Sequence, residues 1–305
     1  MKRSGVQDID SEYKGDDINM WIVFAFGSAF FAGITAILAK IGIKNVNSNV
    51  ATAIRTIIIL IFSWIIVFIT GSIDTINTIS AKTFLFLILS GLATGGSWLC
   101  YFKALQNGNV NQVTPIDKSS TILSMLLAFL ILGEPIGIYS CIGLIGIAIG
   151  TYMMIIKKEN TVIEGKGKRW LIYAILSAIF ASLTSILGKI GISDIESNLG
   201  TAIRTIVVCI MSWVIVFVSN KQSEIKIIDK KSMIFICLSG ITTGLSWLCY
   251  YKALQEGNAS VVIPIDKLSI VITIAFSYFV LKEKLSKKAL IGLILIVTST
   301  LLLLI

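Results

Sequence analysis

Histidine is absent from the 305 residues, proline occurs only three times, and charged residues make up 14%. Without histidine the chain lacks the commonest general base and the commonest metal ligand. With so little proline, most helices can run unbroken. A soluble domain carries about 25% charged residues, so this chain has too few to keep its apolar side chains in water. The five cysteines, Cys100, Cys141, Cys209, Cys237 and Cys249, are odd in number, lie in apolar runs and form no CxxC. They read as small buried hydrophobes rather than a disulfide framework or a metal site. Neither a metal nor a cofactor is expected.

What the chain has in abundance is apolar length. Hydrophobic residues reach 55% and mean hydropathy is +0.89. Apolar runs near twenty residues recur throughout, the length that crosses a hydrocarbon core of about 30 Å. The predicted spans are 21–39, 50–69, 83–102, 111–132, 138–156, 170–188, 199–218, 232–251, 261–281 and 287–305. The net charge is +9, but Lys and Arg sit mostly between the runs. That placement suits topology and lipid headgroups rather than nucleic acid. Residues 1–20 are polar and mixed in charge, and read as a disordered tail. The run from Trp21 lacks a small-residue cleavage site, so no removable signal peptide is expected.

The chain is also a duplication. Residues 21–156 and 170–305 align at a constant offset of 149, on either side of the basic linker 157–169. WLCYFKALQNGN (98–109) returns as WLCYYKALQEGN (247–258), and TAIRTI (52–57) as TAIRTI (201–206). Pro115, Asp117, Lys118 and Glu134 return as Pro264, Asp266, Lys267 and Glu283. Each unit holds five spans, an odd number, so the second lies upside down relative to the first. The expected fold is all-α and integral to the membrane: ten transmembrane helices as two inverted five-helix repeats. Inverted repeats are the usual construction of secondary transporters.

The SWLCYxKALQxGN, PIDK and Glu pattern, twice in ten spans, resembles the EamA-type members of the drug/metabolite transporter superfamily. The resemblance covers residues 21–305. It implies a transporter in the cell (plasma) membrane with a central cavity between its halves. It also implies a small-molecule substrate, often an amino acid or related compound, and often export. It names no universal catalytic residue and fixes no substrate.

Charge inside the membrane is costly and therefore marks candidate sites. Six such residues stand out: Arg55, Asp117 and Lys118, with their copies Arg204, Asp266 and Lys267. Arg55 lies six residues after Asn49 and Asp117 six after Asn111, near the starts of parallel spans, so both are ~9 Å inside the same face and able to pair. Lys40 and Lys103 end spans on that face, while Lys189 and Lys252 join the second cluster at the opposite one. Two equivalent clusters, one at each gate, are one reading; static ion pairs holding helices together are the other. Each half's three intramembrane ions sum to +1, giving +2, which favours an anionic or zwitterionic substrate.

Polar stripes mark inward faces. Thr52, Arg55, Thr56 and Ser63 share one in span 2, and Ser90, Thr94, Trp98 and Tyr101 share one in span 3; both recur in repeat 2. Trp98, Trp247, Tyr101 and Tyr250 are candidates for lining the route and contacting a cation, against packing or an interfacial belt. Small residues four apart, such as Gly91 and Gly95 or Gly240 and Gly244, read as close helix packing. Glu134 and Glu283 end spans 4 and 9, as solvated acids or as proton carriers. Asp117 and Asp266 are better placed to carry a coupling proton.

Counting Lys and Arg gives six on the side of the termini and sixteen on the other, which puts the termini outside. The resemblance implies cytoplasmic termini, so orientation stays open. An integral membrane enzyme, such as a lipid-linked transferase, would need clustered carboxylates or a nucleophile constellation. No DxxxD pair or nucleophile motif appears, and the chain reads as no enzyme. A channel or assembly subunit is the third alternative. No P-loop (GxxxxGK[ST]) is present, which argues against direct ATP drive. The oligomeric state is not legible.

Overall fold

The computed structural model describes residues 13–43, 46–107, 116, 119–135, 137–155, 169–279 and 286–305. Its helices are α1 (Tyr13–Gly42), α2 (Ser48–Ile69), α3 (Ala81–Asn107), α4 (Ser120–Ile131), α5 (Ile138–Ile155), α6 (Arg169–Ile192), α7 (Ser197–Val218), α8 (Lys230–Glu256), α9 (Ala259–Lys267), α10 (Ser269–Phe279) and α11 (Lys287–Leu302). Short 3-10 segments, Ser72–Thr78 and Gln222–Ile227, follow α2 and α7 at equivalent places. The protein is an all-α membrane protein. Six helices (α1, α2, α3, α6, α7 and α8) contain stretches long and apolar enough to cross a bilayer, and α4 and α5 are shorter and apolar.

Two expectations change here. Helix α1 begins at Tyr13, so the end of the expected tail is helical. Span 9 is two helices, interrupted at Leu268. Pro264 inside α9 supplies no N–H, and the helix stops four residues later, just after Asp266 and Lys267. In repeat 1, α4 starts at Ser120, and the position equivalent to it at the 149 offset is Ser269, where α10 starts.

The repeats interlock. Helix α1 packs on α8 and α3 on α6, which are mirror pairs, while α2 packs on α7, α4 on α9 and α5 on α11. A two-fold axis between the repeats produces this pattern. The helices that carry the arginines start alike: Asn47 accepts from the Asn49 backbone N–H at 2.9 Å, and its equivalent Glu196 accepts from Asn198 at 2.8 Å and Leu199 at 3.1 Å. Such caps satisfy N–H groups that a helix start leaves free.

Glycines set how closely the helices cross. A Cβ added at Gly91 would lie 2.6 Å from Val207 Cβ and 3.2 Å from the Arg204 carbonyl oxygen. At the equivalent Gly240 it would lie 2.9 Å from Ile58 Cβ and 3.2 Å from the Arg55 carbonyl oxygen. The small-residue stripes therefore seat the arginine-bearing helices.

The cysteines are free, and none of them is fully buried; Cys141 is exposed. That departs from the buried reading. An apolar thiol on the outside of a membrane helix faces lipid, which costs it nothing comparable to exposure in water.

Candidate functional site

A cavity of about 400 Å³ lies between the repeats. Its lining includes six pairs of equivalent positions at the 149 offset, among them Arg55 with Arg204, Thr94 with Thr243 and Trp98 with Trp247. The cavity thus sits on the axis that relates the two halves. Ser185, Tyr250, Tyr251, Asp266 and Lys267 complete it on the side of repeat 2.

Each arginine crosses to the other repeat. Arg55 Nη2 donates to Thr243 Oγ1 at 2.7 Å, and Arg204 Nη2 donates to Thr94 Oγ1 at 2.7 Å. Arg204 also donates from Nε to Ser90 Oγ at 2.9 Å. Its guanidinium carbon lies 5.1 Å from the Trp247 ring centroid and 4.8 Å from that of Tyr251, within cation–π range. Arg204 is only 2% exposed, whereas Arg55 is half-buried.

This geometry corrects the spacing argument. Arg55 and Arg204 were expected in separate clusters at opposite faces, each with its own repeat's aspartate. Instead both line one cavity, because their long side chains reach from either face toward its middle. Hydroxyls of the opposite repeat meet them. Asp266 accepts from Ser28 Oγ at 2.6 Å and lies 3.5 Å from Lys267 Nζ. Asp117 and Lys118 lie outside the described residues. Trp247 was a candidate to contact a substrate cation, but the cation in range of its ring is Arg204.

The other candidates separate. Trp98, Trp247 and Tyr250 line the cavity, and Tyr250 donates to Ser185 Oγ at 2.8 Å. Tyr101 packs instead with Ala104 and Ala174. Lys103 is exposed, and Lys252 pairs with Glu256 at 2.6 Å one helical turn on. The Lys40 side chain and Glu283 lie outside the described residues.

Glu134 is not solvated. It is 9% exposed and accepts the backbone N–H of Ala259 at 2.6 Å and of Ser260 at 2.8 Å. It therefore caps α9 of the other repeat. Lys189 Nζ lies 3.7 Å from Glu134 and donates to the Gly257 carbonyl. Counting crossings puts the ends of spans 4 and 6 and the start of span 9 on one face, that of the termini, and here they meet. Around them lies the largest apolar cluster, including Ile186, Ile192, Leu199 and Leu254. Nothing in the spacing of Glu134 announced its partners, because they belong to a helix start 125 residues away.

The family model of the EamA-like transporter family matches residues 19–156 and again 168–305. An uncharacterized transporter from the cobO 3′ region of Sinorhizobium sp is 42% identical over 134 residues, which cover 44% of this chain and 95% of that protein. An uncharacterized protein of Methanocaldococcus jannaschii is 31% identical over 134 residues, 44% of this chain and 94% of its own length. Both relatives are therefore about one repeat long. A solved crystal structure shares the fold at TM-score 0.75 with 13% identity, covering 92% of this chain and 95% of its own. Two matches of one family model, one on each half of an interlocked pair of helical repeats, leave a single conclusion: the chain belongs to the EamA-like transporter family of the drug/metabolite transporter superfamily, and is a multi-pass protein of the plasma membrane.

Proposed function

We propose that the protein is a secondary transporter for a small polar or amphipathic metabolite, an amino acid or related compound, working by alternating access between its inverted repeats. The observation that carries this reading is the cavity on the axis, built from equivalent residues of both halves. Export is the direction that the family resemblance implies.

The unequal packing of the two faces supports alternation. Ile192 is 0% exposed, while its equivalent Ile43 is 37% exposed. Ser197 is buried and Ser48 exposed; Ile186 is buried and Ile37 only half-buried. Two copies of one sequence pattern thus pack tightly at the face of the termini and loosely at the other. A two-fold related molecule that exchanged these packings would present its cavity to the opposite side. The break in span 9 beside the cavity fits the same mechanism, since transporters build their sites from interrupted helices.

In this reading Arg55, Arg204, Trp98, Trp247, Tyr250, Asp266 and Lys267 line the route. Glu134 and Lys189 hold the face of the termini shut. Asp266 is the one carboxylate lining the cavity among the described residues, and is our candidate for carrying a coupling proton. The test is flux into proteoliposomes. A transporter gives saturable uptake that accelerates when the inside is preloaded with unlabelled substrate. Uptake that neither saturates nor responds to preloading contradicts the proposal and points to a channel.

A further inference from the structure

We infer that the cavity binds a small organic carboxylate, a monoanion with a flat apolar body; this rests on the transporter reading above for its place on a transport route. Among the described residues three cations line the cavity (Arg55, Arg204 and Lys267) against one carboxylate (Asp266), a balance of three minus one, or +2. The Asp266 carboxylate already has Ser28 at 2.6 Å and Lys267 at 3.5 Å. Neither guanidinium, among the described residues, has a carboxylate partner within ion-pair distance. Among the described residues their hydrogen-bond partners are neutral hydroxyls.

The guanidiniums also retain unused donors. Arg204 Nη1 and Arg55 Nε are buried and lack a hydrogen-bond partner among the described residues. Buried polar groups are normally paired, so these nitrogens leave both guanidiniums incompletely satisfied. These two buried nitrogens come one from each repeat. A carboxylate held between the two guanidiniums would be met by one arginine of each repeat. The indoles of Trp98 and Trp247 and the ring of Tyr250 form apolar walls suited to a flat body. The volume, about 400 Å³, is near the small end of ligand cavities, which run from about 300 to 1,000 Å³. An amino-acid ammonium would need Asp266, which is already engaged, so a simple acid fits better than a zwitterion.

The experiment is a thermal-shift series on the full-length protein in detergent at fixed ionic strength. The probes are indole-3-acetate, its neutral amide indole-3-acetamide, tryptophan, acetate and inorganic phosphate. We expect indole-3-acetate to raise the unfolding temperature in a saturable way, by several degrees at saturation, and the others to raise it much less. The shift is expected to disappear in Arg204→Gln and to weaken in Arg55→Gln. If Arg204→Gln does not fold, the comparison of acid with amide on the unaltered protein still decides. An amide that matches the acid, or acetate or phosphate that does so, overturns the inference. So does tryptophan outdoing indole-3-acetate, which would give Asp266 an ammonium to hold. Binding of indole-3-acetate without flux in proteoliposomes counts against the transport reading and leaves the ligand class standing; flux of neutral or cationic compounds alone does the reverse.

Discussion

Arg204 of the second repeat donates to Thr94 of the first at 2.7 Å, and Arg55 of the first donates to Thr243 of the second at the same distance. The two bonds are images of each other. They tie the halves together at the cavity wall and hold each guanidinium in place from the opposite side. Replacing Thr94 by Val removes the acceptor of a buried cation, which costs about 1–3 kcal/mol. Unfolding in detergent is expected to show that loss, with Thr94→Ser close to the parent. Thr243→Val is expected to cost less, because Arg55 is half-buried where Arg204 is 2% exposed.

Glu134 caps α9 with both carboxylate oxygens. Glu134→Ala leaves two backbone N–H groups without their acceptor and the Lys189 ammonium without its carboxylate. A loss of about 1–3 kcal/mol is expected in the same assay. Glu134→Gln keeps one acceptor oxygen and is expected to fall between parent and Ala. Equal stability of Ala and parent would show that the cap contributes nothing.

Gly91 and Gly240 permit the close crossings of α3 with α7 and of α2 with α8. Gly91→Ala places a methyl 2.6 Å from Val207 Cβ, and helix separation or side-chain strain must follow. Overpacking of this kind costs about 1–3 kcal/mol. Gly71→Ala is not a matched control, since Gly71 has φ +68° in a turn and strains any side chain there. Gly137, whose added Cβ would meet nothing closer than 4.0 Å, is the control expected to tolerate Ala.

Duplication, helical class and polar stripes were readable from the residues, because apolar length and period are local properties. The inward faces were right in kind: Thr56 and Ser212, from the stripes of spans 2 and 7, meet at 2.7 Å across the two repeats. Partners were not readable. The sequence placed Arg55 at a depth in its span, and depth alone cannot reveal that α8 brings Thr243 within 2.7 Å of it. Tyr251 beneath Arg204 and Ser28 beside Asp266 were missed for the same reason. Tyr251 differs from its equivalent Phe102, and that departure from the repeat was the one available signal.

Asp229 caps α8 from outside the membrane span, accepting from the Ser232 backbone N–H at 3.0 Å. Hydrogen bonding, led by that bond, holds its carboxyl below the usual carboxylate value. A carboxyl lowered by folding stabilises the folded state above its unfolded value, and that contribution is lost as pH falls through the lowered folded value. The unfolding temperature of the parent is therefore expected to approach that of Asp229→Ala on acidification. A difference that stays constant with pH would contradict the cap.

Two inverted halves are proposed to exchange a tight and a loose packing around one cavity. Cysteines placed singly at Ile192 and Ile43, in a background without the five native cysteines, report that exchange through labelling by a membrane-impermeant thiol reagent applied to either side. In the parent, position 43 labels and position 192 does not. Adding Glu134→Ala is expected to raise labelling at 192 and lower it at 43. Labelling that rises at both positions, or leaves 43 unchanged, would mean that the face merely loosens and that the two halves do not alternate.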